Sequence, residues 1–401
     1  MSSRQVAVIG GGAAGFFYAI NYKELHPDDE VTIYEQSNSV LNKVKVSGGG
    51  RCNVTHACFD PRELIAYYPR GGKELLGPFH RYACGDTVEW FESRGVPLKI
   101  ESDGRMFPVS DRSDSIIDCF MAEVSRLKIK VLKKSRVELQ SLEDRTIIID
   151  RESTIQPDVI FIATGSSKFI WNTLKANGIK IVDPLPSLFT FNISDIRLRD
   201  LAGISFPDVE VVSEIGKYVS RGPLLITHWG LSAPSILKLS SVEARELAEL
   251  RYKFSIKVDF LPDQSEEETI NLMRKQGGRN IGINNPFGIP KRYWKRIVHV
   301  LKMDERQRWA DLRKEAAERI LKQLKHAEFQ VTGKSTFKEE FVSAGGIDLK
   351  EINFKNFSLK QFPGVYAAGE VLNIDAMTGG FNFQAAWTGS YLAAINVDHG
   401  S

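Results

Sequence analysis

Apolar and polar positions along this chain change period several times, and the changes mark the elements. Gln5-Val6-Ala7-Val8-Ile9 is a short continuous apolar run, the pattern of a strand buried on both faces of a parallel sheet. Residues 13–25 follow with helical character. His26-Pro27-Asp28-Asp29 is a turn, and Val31-Thr32-Ile33-Tyr34-Glu35 is a second strand, so the N-terminus predicts a complete β-α-β unit. Alternating segments continue to about residue 187. They include Arg136-Val137-Glu138-Leu139 and the apolar strand Asp158-Val159-Ile160-Phe161-Ile162-Ala163, which runs into Thr164-Gly165.

The character then shifts. From 186 to 260, short alternating stretches such as Asp208-Val209-Glu210-Val211-Val212 and Phe254-Ser255-Ile256-Lys257-Val258 predict a small, mostly β module. From 265 to 326 the pattern is helical and basic. Trp309, Leu312, Ala316, Ile320 and Leu324 recur at steps of three and four, which predicts one amphipathic helix. After about 330 the α/β pattern returns. Gly364-Val365-Tyr366-Ala367-Ala368-Gly369 is strand-like, residues 370–382 form a loop, and residues 383–397 form a helix. The organisation predicted is one α/β domain in two parts, 1–189 and 331–401, sharing a sheet. A β-rich insert at 190–262 and a helical insert at 263–330 interrupt it.

Composition changes this picture little. In 401 residues, 42% hydrophobic and 26% charged describe an ordinary globular protein of roughly two to three domains. A net charge of +3 points to no nucleic-acid partner, and the basic residues of the helical stretch, mixed with Glu and Asp, read as a solvated face. Cys52, Cys58, Cys84 and Cys119 are scattered without C-x-x-C or zinc spacing. A reducing cytoplasm and no metal are expected. Residues 6–20 are apolar, yet their regularly spaced glycines and the strand that follows belong to a folded unit, so no secretion signal is expected. No run of about 18 apolar residues predicts a membrane span.

The chemistry begins at Gly10-Gly11-Gly12-Ala13-Ala14-Gly15, a G-x-G-x-x-G between strand and helix. Gly10 allows the tight turn, Gly12 lets a pyrophosphate approach the backbone, and Gly15 lets helix and strand pack closely. The helix start supplies N–H groups and a positive dipole end. Glu35 lies 20 residues after Gly15, placed to accept from an adenosine ribose and to repel a 2′-phosphate.

That motif fits FAD and NAD alike, and two distant segments favour FAD. Ser47-Gly48-Gly49-Gly50-Arg51-Cys52-Asn53 offers a backbone nest for an anion, with Arg51 adding charge for a phosphate or an electron-rich ring; an ordinary turn is the alternative. The run from Gly369-Glu370 through Asp375 to Gly379-Gly380-Phe381-Asn382 is a second glycine-rich strand-to-helix junction. Its helix would aim N–H groups at the pyrimidine side of a flavin, and Asp375 would hold a ribityl hydroxyl or a backbone amide. Three such junctions suit an extended cofactor with two ends.

The combination resembles the YhiN/BaiN-like family of bacterial flavoproteins, also called the aminoacetone oxidase family. The match rests on residues 8–15, 43–53 and 364–387, on Thr227-His228-Trp229-Gly230-Leu231-Ser232 with Pro234, and more weakly on Asp103-Gly104-Arg105-Met106-Phe107-Pro108. The resemblance implies a Rossmann-like FAD-binding domain of the two-dinucleotide-binding type, with inserted β-rich and helical domains. FAD would be held by Gly10, Gly12, Ala13, Ala14, Gly15, Glu35 and Gln36, and by Lys43, Ser47, Gly48, Gly49, Arg51, Cys52 and Asn53. Ala163, Thr164 and Gly165 would line it. Val137 would offer backbone groups to adenine. Gly369, Glu370, Asp375, Gly379, Gly380, Phe381 and Asn382 would sit near the ribityl chain and isoalloxazine. The chain departs from the family's usual residues at Asn42, His56, Ser166, Asn373 and Ala376.

The activity expected is an FAD-dependent oxidoreductase moving a hydride between flavin and a small or medium organic substrate. It would work either as an NAD(P)H-dependent reductase or as an oxygen-using amine oxidase. A single G-x-G-x-x-G leaves NAD(P)H a transient donor. The alternative is a non-catalytic flavin-binding sensor or assembly factor, with the basic helices as its partner surface. No catalytic residue is assigned. His228 is a candidate for substrate binding or proton transfer beside a structural role, and Cys52 reads as packing rather than redox chemistry.

Overall fold

Val6, Ala7, Val8 and Ile9 are all buried, and the strand they form, Gln5–Ile9, lies inside a seven-stranded sheet. The computed structural model describes residues 3–216, 218–335 and 342–397. Across the sheet the order is Ile352–Asn353, Ser358–Leu359, Val365–Ala367, Val159–Ile162, Gln5–Ile9, Glu30–Glu35 and Lys130–Lys133. The last five are mutually parallel and the first two pair antiparallel. From Gln5–Ile9 the chain first builds outward through Glu30–Glu35, then returns to its other side with Val159–Ile162. The carboxyl ends of these two central strands therefore flank a topological switch point, where open α/β sheets bind ligands. Val365–Ala367, far along the chain, joins the same sheet, as the returning α/β pattern predicted.

Helix Ala13–Leu25 packs against Phe381–Ile395. Both are apolar nearly all round, which is why each is buried over most of its length. Trp387 fills the space between them, with ring centroids 5.0 Å from Phe17 and 5.8 Å from Phe120.

Two compact units divide the chain: Met1–Pro184 with Val342–Ser401, and Leu185–Phe341. In the second, an antiparallel sheet runs Ala327–Val331, Phe254–Asp259, Ser205–Ser213, Val219–Ile226, Gly230–Ser232, Thr190–Asn192, Gly333–Ser335. Its strands and the helices Glu266–Arg274, Lys291–Val300 and Lys314–Lys325 share one hydrophobic core. The predicted single helix through Trp309 breaks. Trp309–Asp311 is a 3-10 turn, Leu312 is extended, and the helix starts at Lys314. Arg308 pairs with Asp311 there (2.8 Å), which holds the turn closed. Helices Pro234–Val242 and Ala244–Glu249 also stand within the stretch predicted to be mostly β. No helix among the described residues is long and apolar enough to cross a membrane.

Candidate functional site

The glycine turn is fixed by contact. Gly10 has φ +110°, and a Cβ there would lie 2.4 Å from the Ala163 carbonyl oxygen; one on Gly15 would lie 2.0 Å from the Gly10 carbonyl oxygen. Both positions exclude a side chain for packing reasons. Gly12 is different: nothing stands within 4 Å of where its Cβ would be. No side chain caps helix Ala13–Leu25, and its first bond runs from the Phe16 N–H to the Gly12 carbonyl (3.1 Å). The N–H groups of Ala13, Ala14 and Gly15 face off its start. A second uncapped helix, Asn42–Gly50, begins against the same turn, because the Leu41 N–H donates to the Gly11 carbonyl (2.8 Å).

Glu35 closes one side. Its two oxygens accept from the N–H groups of Gly11 (2.9 Å) and Ser37 (2.7 Å), which orients the carboxylate and leaves lone pairs for a hydroxyl. The Ser135 N–H donates to the Glu35 carbonyl (2.8 Å), so the segment entering Val137 runs beside it; Val137 is buried and Gln36 exposed.

Thr164 and Gly165, with Gly369 and Glu370, close the other side. A Cβ on Gly369 (φ +80°) would lie 3.3 Å from the Ala14 methyl, and one on Gly165 would lie 3.8 Å from a Glu370 oxygen. Glu370 pairs with Lys43. The Thr164 Oγ1 is buried without a hydrogen-bond partner. An orphaned hydroxyl beside two open helix starts and an empty cradle at Gly12 fits a phosphate-bearing, hydroxyl-rich ligand such as FAD. Thr164→Val should leave apo-protein stability unchanged or slightly higher while weakening FAD about fivefold, the worth of about one hydrogen bond. Thermal melting of the apoprotein with an FAD titration checks both.

The glycine run is a kinked helix end. Ser47 is extended, Gly48, Gly49 and Gly50 are left-handed, and Cys52 has φ +61°. A Cβ on Gly48 would meet the Phe107 ring at 2.8 Å, whereas Gly49 and Gly50 face open space. Burial pushes the Cys52 thiol up to about 12, so it stays protonated and packs. Arg51, expected at a phosphate or an electron-rich ring, has partners within the protein. Its guanidinium lies over Phe107 (3.9 Å) and pairs with Glu101 (2.6 Å) and Asp111 (3.4 Å). Asn53 sits with its amide oxygen facing the Gly380 N–H (3.0 Å) and its nitrogen facing the carbonyls of Thr55 and Met106 (3.0 and 3.2 Å).

Asp375 was expected to hold a ribityl hydroxyl or a backbone amide. It is completely buried and paired with Arg70 through both carboxylate oxygens, so it fixes the loop rather than presenting an open carboxylate to a ribityl hydroxyl. Asn382 pins the same loop through the Ala376 N–H (2.9 Å) and carbonyl (3.4 Å). Gly379 and Gly380 turn the chain into helix Phe381–Ile395, whose start is uncapped. This helix begins two residues before the predicted position.

The Phe381 ring stacks on Tyr67 (4.1 Å) and His56 (4.6 Å). The His56 Nε2 faces the Asp103 carbonyl (3.1 Å), so that nitrogen carries the hydrogen and Nδ1, buried without a partner, is an acceptor. Burial holds its pKa below the ordinary histidine value. Below the unfolded-state value of about 6.5 the unfolded chain binds the extra proton first, so this residue's stability contribution is complete above that pH and declines as pH falls. His56→Asn should flatten that acid limb in urea titrations between pH 5 and 7.

Arg70 and Tyr67 stand beside these residues and carried no sequence signal of their own, whereas His56 was marked only as a departure from the family and Gln384 lies in the matched segment 364–387. Gln384 accepts from Thr55 (2.6 Å) and Thr87 (3.0 Å) and donates to Thr388 (3.1 Å), all buried. His228 lies on an exposed turn of the other unit.

Comparison with known proteins agrees over the full length. The sequence model of a family described as HI0933-like protein Rossmann domain matches residues 4–396. A protein of Haemophilus influenzae named ribosomal RNA dihydrouridine synthase is 28% identical over 97% of both chains. The 3-dehydro-bile acid delta(4,6)-reductase of Clostridium scindens is 25% identical over 97% of this chain and 98% of that one. Among solved structures, a 3-ketosteroid-delta4-(5alpha)-dehydrogenase from Rhodococcus jostii shares the fold, with TM-score 0.53 and 13% identity over 98% of this chain and 97% of that one.

Proposed function

Because the chain belongs to the HI0933-like Rossmann-domain family of FAD-dependent oxidoreductases, we propose that it is a reductase acting on a carbon–carbon double bond conjugated to a carbonyl. The observation that carries the cofactor assignment is the convergence at the switch point. Two uncapped helix starts, the oriented Glu35 and the orphan Thr164 hydroxyl surround the open cradle at Gly12. The reaction type is supported by two relatives whose names differ in substrate yet describe the same change. A uracil ring becomes dihydrouracil, or a conjugated steroid double bond is reduced.

The balanced reaction joins the double bond, NAD(P)H and a proton to give the saturated product and NAD(P)+. A bound FAD would supply the hydride-transfer chemistry between donor and acceptor. The protein's part is binding and polarisation. The N–H groups at the start of Ala13–Leu25 and Asn42–Gly50 take the pyrophosphate. Glu35 takes the adenosine ribose, and Thr164 supplies a hydroxyl partner. The uncapped start of Phe381–Ile395 would offer its positive end to negative charge on a bound flavin. The stacked rings of His56, Tyr67 and Phe381 brace the start of that helix.

Anaerobic addition of NADH or NADPH to the holoprotein should bleach the flavin within seconds, and a conjugated enone or a uridine-containing RNA should restore its colour without oxygen. Bleaching by aminoacetone, with peroxide released on admitting air and no response to NAD(P)H, would replace this reading with the amine oxidase.

A further inference from the structure

One exposed face of the Leu185–Phe341 unit has no part in the cofactor site. Residues 291–303 contain Lys291, Arg292, Lys295, Arg296, His299 and Lys302 and no acidic residue. Helix Lys291–Val300 buries Tyr293, Trp294, Ile297 and Val298 in the unit's core. The opposite face is therefore wholly basic. Lys291, Lys295 and His299 stand one turn apart in a stripe, all exposed, with Arg292 and Arg296 beside them and exposed Lys302 just past the helix end. The two arginines are held in place, donating to the carbonyls of Asp200 (2.8 Å) and Ile196 (2.6 Å). The acidic residues next to it in sequence are Asp304 and Glu305, and at the arginine anchors Asp200 and Asp195, the last paired with Arg197 (2.7 Å).

The loop that anchors those arginines also leads to an aromatic. The Ile193 N–H donates to the Trp229 carbonyl (2.9 Å), three residues before Ile196. Chain geometry therefore keeps the Trp229 carbonyl within about 15 Å of the Ile196 carbonyl that holds Arg296. Trp229 is 62% exposed.

We propose that this face docks RNA, its basic stripe following the phosphates and Trp229 stacking on an unpaired base. A bilayer fits poorly, since the helix's apolar side is already buried and the exposed apolar groups nearby, Ile196 and Trp229, are two separate side chains rather than a face to insert. A protein partner gives no reason for an unbroken run of cations next to a bare indole, whereas phosphate tracking with base stacking is how single strands are held. The inference rests on the reductase reading for what the RNA is for, namely delivery of a base as substrate, but not for the binding itself.

The test uses the flavin-loaded protein and a fluorescein-labelled, uridine-containing single-stranded RNA of about 12 nucleotides, followed by anisotropy across a salt series. Parent protein should bind with strong salt dependence. The triple variant Lys291→Gln, Lys295→Gln, Lys302→Gln should bind about 100-fold more weakly at 0.1 M salt, with the log–log slope reduced by about two. Trp229→Ala should weaken binding about tenfold with an unchanged slope, because stacking releases no counterions. Lys73→Gln, Lys350→Gln, Lys355→Gln removes equal charge from exposed sites of the other unit and should change little. Unaltered flavin content shows the variants are folded. No RNA binding by the parent, equal binding by the stripe variant, or stronger binding to phosphatidylglycerol vesicles than to RNA would overturn the proposal. RNA binding that the stripe variant loses, in a protein that reduces no double bond, would retain the docking face and refute only the reductase.

Discussion

Gly15→Ala should cost the protein both its stability and its flavin, whereas Gly12→Val should cost it the flavin alone. A methyl on Gly15 would sit 2.0 Å from the Gly10 carbonyl oxygen, which is backbone and cannot swing aside. Relieving that overlap means separating the helix from the first strand. Overpacking of this kind destabilises by about 1–3 kcal/mol or more. At Gly12 the space is open, so a valine is tolerated by the apoprotein and occupies the approach a pyrophosphate needs. Losing two charge-assisted hydrogen bonds at about 1.5–3 kcal/mol each weakens FAD on the order of 100-fold or more. Urea unfolding of both apoproteins, with FAD titration of each, separates the effects. If Gly12→Val binds FAD like the parent, the cradle is not where the phosphates lie.

Asp375→Ala should be the most destabilising polar substitution in the chain. Asp375 is fully buried and its partner Arg70 nearly so. Removing the carboxylate leaves a guanidinium without its counter-charge in a low-dielectric interior, which costs about 3–5 kcal/mol. The pair also ties residues 70 and 375 through a β-bridge, so its loss frees the loop that leads to Gly379 and Gly380. Flavin affinity should fall with stability. The double variant Arg70→Met, Asp375→Leu should recover much of the stability, since it removes both charges together. An unchanged urea midpoint for Asp375→Ala would show that the pair does not hold the loop.

These two sites mark the boundary of what the sequence revealed. The glycine turn was legible because its determinants are local. Strand Gln5–Ile9, the turn and helix Ala13–Leu25 lie within 21 residues, and each has its own pattern. The sharing of one sheet by Val159–Ile162 and Val365–Ala367 was legible from the return of the same apolar strand pattern. The Arg70–Asp375 pair was not, because it joins residues 305 apart and neither carries a periodic signal. The protein partners of Arg51 were not legible for a related reason. Its spacing after the glycines suggested a phosphate ligand, but Glu101 and Asp111, 50 and 60 residues on, are brought beside it only by the fold. The break at Leu312 shows a local contact overriding periodicity: the Arg308–Asp311 pair closes a 3-10 turn within an apolar pattern that alone suits a continuous helix. The basic stripe was in plain view, but judging it by the mixed charges of residues 265–326 hid that residues 291–303 hold none of the acids.

The glycine turn with which the chain begins fixes where the cofactor's phosphates belong, while the identity of the enzyme depends on what happens at the other end. The most direct measurement is mass spectrometry of the substrate after anaerobic incubation with holoprotein and NAD(P)H. The expected result is a gain of two hydrogens on a conjugated carbon–carbon double bond, in an enone or in uracil, one of them deuterium when the nicotinamide is deuterated and solvent exchange is slow. Substrates of unchanged mass, with the nicotinamide oxidised only when oxygen is admitted, would contradict the account.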